Sequence, residues 1–223
     1  MQTFATTAAV STVLDIPAGR IRLVAADRSD ATVEVRPADA SRSRDVKAAE
    51  ETTVEFRDGV LRIAAAPGGS RIMGNSGHVE VTVQLPAGSH VTATVAAAEF
   101  RTAGPLGEVV FEGAQAEVKV EEAASARVTV QAGDVVLGRL NGPAEIGTQK
   151  GDITIAEAAK GELTLTTQHG AITVGAARGV SATLDAGTGY GRIHNALNNT
   201  DGPAAALTIR ATTSYGDITA RSI

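Results

Sequence analysis

Three aspartates recur at one point of a repeated pentapeptide: Gly133-Asp134-Val135-Val136-Leu137, Gly151-Asp152-Ile153-Thr154-Ile155 and Gly216-Asp217-Ile218-Thr219-Ala220. A column of carboxylates could hold calcium, as in β-rolls whose glycine-rich nonapeptides bring an Asp to every turn. Here Ala171 and Arg192 interrupt the column in Gly170-Ala171-Ile172 and Gly191-Arg192-Ile193, and the Gly-Gly-x-Gly spacing is absent. We therefore read Asp134, Asp152 and Asp217 as solvated turn carboxylates and expect no metal and no cofactor. The histidines, His78, His90, His169 and His194, show no i, i+4 or His-Glu-x-x-His spacing. His169 and His194 lie near successive turns, where they could approach one another across coils, but scattered surface histidines are the expected reading.

Other constellations fail on their surroundings. Gly187-Thr188-Gly189-Tyr190-Gly191 lacks both the Gly-Lys-Ser/Thr ending and the following helix of a phosphate loop, so it reads as a glycine-rich corner with one Tyr. Carboxylate pairs on a β-solenoid face could cleave a polysaccharide, which keeps a carbohydrate-active enzyme as a minor alternative. Such enzymes line their grooves with aromatics, and this chain has no Trp and two Tyr. Thr154, Thr173 and Thr219 on one strand series, and Thr129, Thr164, Thr183 and Thr208 on the other, predict outward ladders. Asp, Glu and Arg break the Thr-x-Thr rows that an ice-binding surface uses. No catalytic residue is assigned.

The elements that position these residues follow from periodicity. Alternation such as Val79-Glu80-Val81-Thr82-Val83 and Val91-Thr92-Ala93-Thr94-Val95 gives half-buried strands. Glu121-Glu122-Ala123-Ala124 and Ala156-Glu157-Ala158-Ala159-Lys160 are helix-prone but short, and read as turns or single helical turns. The pentapeptide series starts at Gly133, Gly151, Gly170, Gly191 and Gly216, with spacings of 18, 19, 21 and 25. Between its members falls a second series, including Ala126-Arg127-Val128-Thr129-Val130, Gly161-Glu162-Leu163-Thr164-Leu165 and Ala206-Leu207-Thr208-Ile209. Two strands per repeat of this length mean a solenoid, because one coil cannot bury its own apolar face. Gly opens each unit because a tight corner favours positive φ, and Thr148, Thr167, Thr188 and Thr213 stand three residues before it.

The first hundred residues share this grammar loosely. Leu14-Asp15-Ile16-Pro17-Ala18-Gly19 resembles Leu85-Pro86-Ala87-Gly88, and Asp58-Gly59 between alternating segments signals a two-residue hairpin. Pro67 to Gly77 and Asn195 to Pro203 read as loops. The expected fold is all-β: an antiparallel, sandwich-like portion over 1–100, continuous with a β-solenoid over 101–223. Five or six stacked coils would make it ~25–30 Å tall at ~4.8 Å per coil.

The Thr-x-x-Gly-Asp-Ile-x-Ile unit alternating with Gly-x-Leu-x-Leu resembles the bacterial putative-adhesin β-strand-repeat family, DUF4097. The resemblance is densest over 105–223 and extends to the strand-Leu-Pro-Ala-Gly-strand unit at 83–91. It implies surface display or an adaptor role beside membrane-stress or transporter systems, and it carries no catalytic residues. Gly-Asp-Ile units also occur in the bactofilin cytoskeletal family.

Composition bounds the function. Twenty basic against 25 acidic side chains, with net charge −5, leave no phosphate-neutralising face, so nucleic acid is not an expected partner. No apolar run approaches the ~20 residues of a membrane helix. Residues Met1 to Val10 lack the basic and apolar regions of a secretory signal, from which a cytoplasmic location is expected. Absence of Cys removes disulfides and thiolate chemistry. The expected function is a non-enzymatic scaffold presenting a solenoid face to a protein partner. Self-association through terminal coils is the alternative, with Gly216 to Ala220 as the uncapped outermost strand.

Overall fold

A computed structural model describes residues 1–66 and 77–223. The loop expected from Pro67 thus lies, except for Gly77, outside the described residues. Two compact units divide the chain, Met1–Ala116 and Glu117–Ile223.

In the first unit the chain forms β1 (Gln2–Ala5), β2 (Ser11–Ala26), β3 (Asp30–Pro37), α1 (Ser43–Glu51), β4 (Thr53–Arg57), β5 (Val60–Ala64), β6 (Val79–Pro86) and the start of β7 (His90–Ala132). Antiparallel pairs join β1 to β3, β3 to β6 and β4 to β5. The β4–β5 turn is the expected Asp-Gly hairpin, with φ of 51° at Asp58 and 77° at Gly59, the two positive values of a type I′ turn. The coil grammar also begins in this unit. Ser11–Ile16 and Ala18–Val24 of β2 lie parallel and in register with His90–Val95 and Ala97–Ala103 of β7. Alternate residues of β2, among them Leu14, Ile16, Ile21 and Leu23, are buried, and Phe100 packs on Phe111 at 4.9 Å between centroids.

Helix α1 was not legible as a helix in the periodicity, whereas the run at 121–124 is strand and that at 156–160 is strand as far as Ala158, with a bend at Lys160. Glu121–Ala124 lies in β7 and Ala156–Ala158 in β10 (Ile153–Ala158). The reason is tertiary pairing, which overrides local propensity. Ala123 and Ala158 point inward, fully buried, both in register with Leu140. Glu122 and Glu157 point outward on either side of Arg139, at 3.8 and 3.5 Å.

The second unit continues β7 and adds β8 (Val135–Leu140), β9 (Ala144–Lys150), β10, β11 (Gly161–His169), β12 (Ile172–Ala176), β13 (Ala182–Tyr190), β14 (Ile193–Ala196), β15 (Leu207–Tyr215) and β16 (Ile218–Ser222). Every pair here is parallel, in two sheets. One runs β7-β8-β10-β12-β16-β14 and the other β7-β9-β11-β15-β13. Interior side chains stack in columns, the clearest being Val118, Val135, Ile153, Ile172, Ile218 and Ile193. All but Ile193 are buried.

The stacking order departs from chain order. Coil β15–β16, the last in sequence, sits between β11–β12 and β13–β14, so the outermost coil is β13–β14 and not the one containing Gly216 to Ala220. Side chains give the reason. The interior column Val120, Leu137, Ile155, Val174, Ala220 ends in Asn195. A buried amide without partners costs about 1–3 kcal/mol, and the outermost position leaves Asn195 exposed. The loop expected at Asn195 to Pro203 begins two residues later, since Asn195 and Ala196 end β14 and Gly202–Ala204 is a 3-10 turn. The connector from Leu197 to β15 carries the chain back by one coil. Buried Ser181 holds it: its Oγ accepts from the N–H groups of Thr200 and Asp201 at 3.2 and 3.1 Å and donates to Asn199 Oδ1 at 3.2 Å.

Candidate functional site

The repeat corners assemble into one edge of the second unit. Gly133, Gly151, Gly170, Gly216 and Gly191 stack so closely that a Cβ on any of the last four would lie 1.9–2.1 Å from the carbonyl oxygen of the glycine in the neighbouring coil. Gly133, Gly151, Gly170 and Gly216 have φ of 135–159°. Contact and conformation therefore both demand glycine. From inside the corner, Thr167, Thr213 and Thr188 donate through Oγ1 to the carbonyls of Gly151, Gly170 and Gly216 at 3.0–3.1 Å. Thr148 makes the same contact with Gly133 at 3.5 Å.

The aspartates following these glycines act as staples between coils. Asp134 Oδ1 accepts from the Asp152 N–H at 2.8 Å, Asp152 Oδ1 from the Ala171 N–H at 2.7 Å, and Asp217 Oδ1 from the Arg192 N–H at 2.8 Å. Arg192 also places Nη2 2.9 Å from Asp217 Oδ2. The Arg192 backbone bond first, and its guanidinium second, hold the Asp217 carboxyl below the usual carboxylate range. These carboxylates are thus spent on backbone N–H groups. Among the described residues no cluster of three His, Asp or Glu is placed to hold a metal.

Beside the glycines runs a feature that reading His and Tyr separately did not reveal. The residue before each corner glycine falls in one column: Lys150, His169, Tyr215 and Tyr190 are in register. The His169 and Tyr215 rings stack at 5.0 Å and 7°, and Tyr215 and Tyr190 at 4.9 Å and 6°. Tyr190 is 70% and Tyr215 50% exposed. The signal was present as His169-Gly170, Tyr190-Gly191 and Tyr215-Gly216. His169 therefore belongs to this ladder and does not meet His194, which stands on β14 in register with Thr219.

Of the threonine ladders, Thr154, Thr173 and Thr219 are in register on one sheet. On the other they are not continuous. Thr183 meets Thr208, but Thr164 meets Glu145 and Arg210, and Thr129 meets Gly147. The strands carrying them are offset by one pair from the sequence alignment of the repeats.

The first unit holds a cleft of about 440 Å³ lined by Arg20, Asp39, Arg42, Asp45, His78 and Glu99 among others. Its charges are occupied. Arg20 pairs with Glu80 at 2.6 Å, Arg42 with Asp39 at 3.3 Å, and Asp45 Oδ1 accepts from the His78 N–H at 2.9 Å. Ser41 holds the Asp39 carboxyl below its ordinary range through its hydroxyl and N–H. No nucleophile with an adjacent base is assembled among these side chains.

No helix among the described residues is long and apolar enough to cross a membrane. Solved structures with the same fold include a putative adhesin from Bacteroides fragilis, with 15% identity, a TM-score of 0.58, and coverage of 100% of this chain and 95% of that one. A putative adhesin from Parabacteroides distasonis has 17% identity and a TM-score of 0.55, covering 98% and 95%. No curated protein gives a significant match. The Toastrack DUF4097 family model spans residues 4–221, and the chain, with its stacked two-strand coils and glycine corners, belongs to that family.

Proposed function

We propose that this chain is a non-enzymatic β-repeat scaffold that binds a protein partner through the ladder of His169, Tyr215 and Tyr190. The ladder is the observation that carries the reading. Tyrosine is enriched at binding hot spots because it offers amphipathic area at small entropic cost. Stacking already restricts these rings, so less ordering remains to be done on binding. The carboxylates nearby serve the fold, which supports a binding role over catalysis, and the structural neighbours described as putative adhesins fit a binding role as well. The family resemblance makes an envelope-stress or transporter assembly the context in which we expect the partner.

The test is a tagged pull-down from host extract with membrane and cytosolic fractions kept apart, comparing the native chain with Tyr190→Ala and Tyr215→Ala. A partner enriched by the native chain and lost from both variants is expected. Partners retained by both variants, or turnover of a polysaccharide by the purified chain, would overturn the reading.

A further inference from the structure

Each contact between coils of the second unit is built alike. The N–H groups of Gly133, Gly151, Gly170 and Gly216 donate to the carbonyls of Lys150, His169, Tyr215 and Tyr190 at 2.8–2.9 Å. Those of Val135, Ile153, Ile172 and Ile218 donate to Asp152, Ala171, Asp217 and Arg192 at 2.9 Å. The equivalent donors of the outermost coil are Gly191 and Ile193, and among the described residues neither has a backbone acceptor. Among the described residues β13 forms a ladder with β15 alone and β14 with β16 alone. At the start of β13 the connector covers the edge, Asn198 O accepting from the Ala182 N–H at 3.0 Å, and the edge is open from there to Tyr190. The interior is open at the same place: Ile193 is 46% exposed and Leu184 and Ala186 are half-buried. Native edges are commonly blunted by Lys, Pro or inward charge. β13 and β14 contain neither Lys nor Pro, and their one formal charge is Asp185.

We propose that this open face is the interface of a two-fold dimer, occupied by the same coil of a second copy. Two sheet edges and the apolar interior between them end together. A single added strand would satisfy one edge and leave the other bare. A second copy brings both strands in one body at the matching separation. A dyad normal to the two sheets sets each β13 antiparallel to its mate and each β14 likewise, and antiparallel edges exchange N–H and C=O groups whatever their side chains. The contact is continuous with the coil-to-coil contacts already made inside the unit. An isologous contact of this kind closes at two copies. One coil's cross-section is smaller than the ~1,200–2,000 Å² of a standard stable interface, so dimerisation depends on concentration. The inference does not rest on the aromatic ladder as a partner site, although Tyr190 ends β13 and borders this face, so the edge variants that test it are placed on β14.

Sedimentation of the full chain over a wide concentration range tests it. The mass should rise from 22.6 kDa toward twice that value and stop there. Ile193→Lys, at an already exposed position, should weaken dimerisation about tenfold or more. Asn195→Lys provides a second edge variant should the first fail to fold, and Thr154→Lys, inside the sheet and facing outward, should dimerise as the native chain does. A mass fixed at one chain, growth beyond two, or dimers of unchanged affinity in folded edge variants would each overturn the proposal.

Discussion

At the scale of single residues, the corner column ranks its members by what a change would meet. Gly216→Ala places a Cβ 1.9 Å from the Gly170 carbonyl oxygen at a φ of 150°. It should destabilise by about 3 kcal/mol or more in urea denaturation. Outside the column, Gly147→Ala in β9, with nothing within 4 Å of the added Cβ, should change stability by less than about 0.5 kcal/mol. Charge adds a pH dependence at Asp217. Its folded pKa is depressed by the Arg192 N–H and guanidinium, so its contribution is fully present above the unfolded carboxylate value of about 3.9. That contribution is lost as pH falls through the lower folded value. The stability difference between the native chain and Asp217→Ala should therefore hold at neutral pH and shrink on acidification below about pH 4; an unchanged difference would show that the carboxylate's charge is irrelevant there. The recurrence of Gly, Asp and Thr was legible because each serves one corner geometry. The Lys150, His169, Tyr215 and Tyr190 column was harder to read, because the residue type changes from coil to coil and only its place before the corner glycine is constant.

At the scale of elements, the two-strand coil was legible because alternation and period report the same packing. The Asp58-Gly59 hairpin was legible because a two-residue turn with positive φ admits few sequences. Coil order was not, since Gly-Asp-Ile-Thr pairs equally well with any neighbour of its kind. The discriminating residue, Asn195, registers only once one asks which repeat can end a stack. Inverting that order requires the connector between β14 and β15, and the connector hangs on Ser181. Ser181→Ala removes the acceptor of the Thr200 and Asp201 N–H groups. Loss of about 1–3 kcal/mol is expected, together with faster amide exchange at those two residues than at β9 or β10. Equal protection in the variant would mean that backbone contacts alone hold the connector. Helix α1 illustrates the opposite failure. Its Lys47-Ala48-Ala49-Glu50-Glu51 is no more helical in composition than the runs at 121–124 and 156–160. It is helical because no neighbouring coil imposes strand pairing on it.

At the scale of the molecule, the inverted order makes folding within the second unit non-sequential. In an ordinary solenoid each coil seats on the one before it, and damage to one coil loosens that coil and those beyond it. Here β13–β14 cannot seat until β15–β16, which follows it in the chain, has docked on β11–β12. The two coils thus form one cooperative pair although they are adjacent in reverse. Ile218 is buried in the column between Ile172 and Ile193, and Ile218→Ala should remove about 2–5 kcal/mol. Hydrogen exchange in that variant should accelerate in β13, β14, β15 and β16 together while β8, β9 and β10 keep their protection. If β13–β14 stacked in sequence order, the same substitution would expose only β15–β16 and leave β13–β14 protected, so the exchange pattern separates the two orders without any change in secondary-structure content.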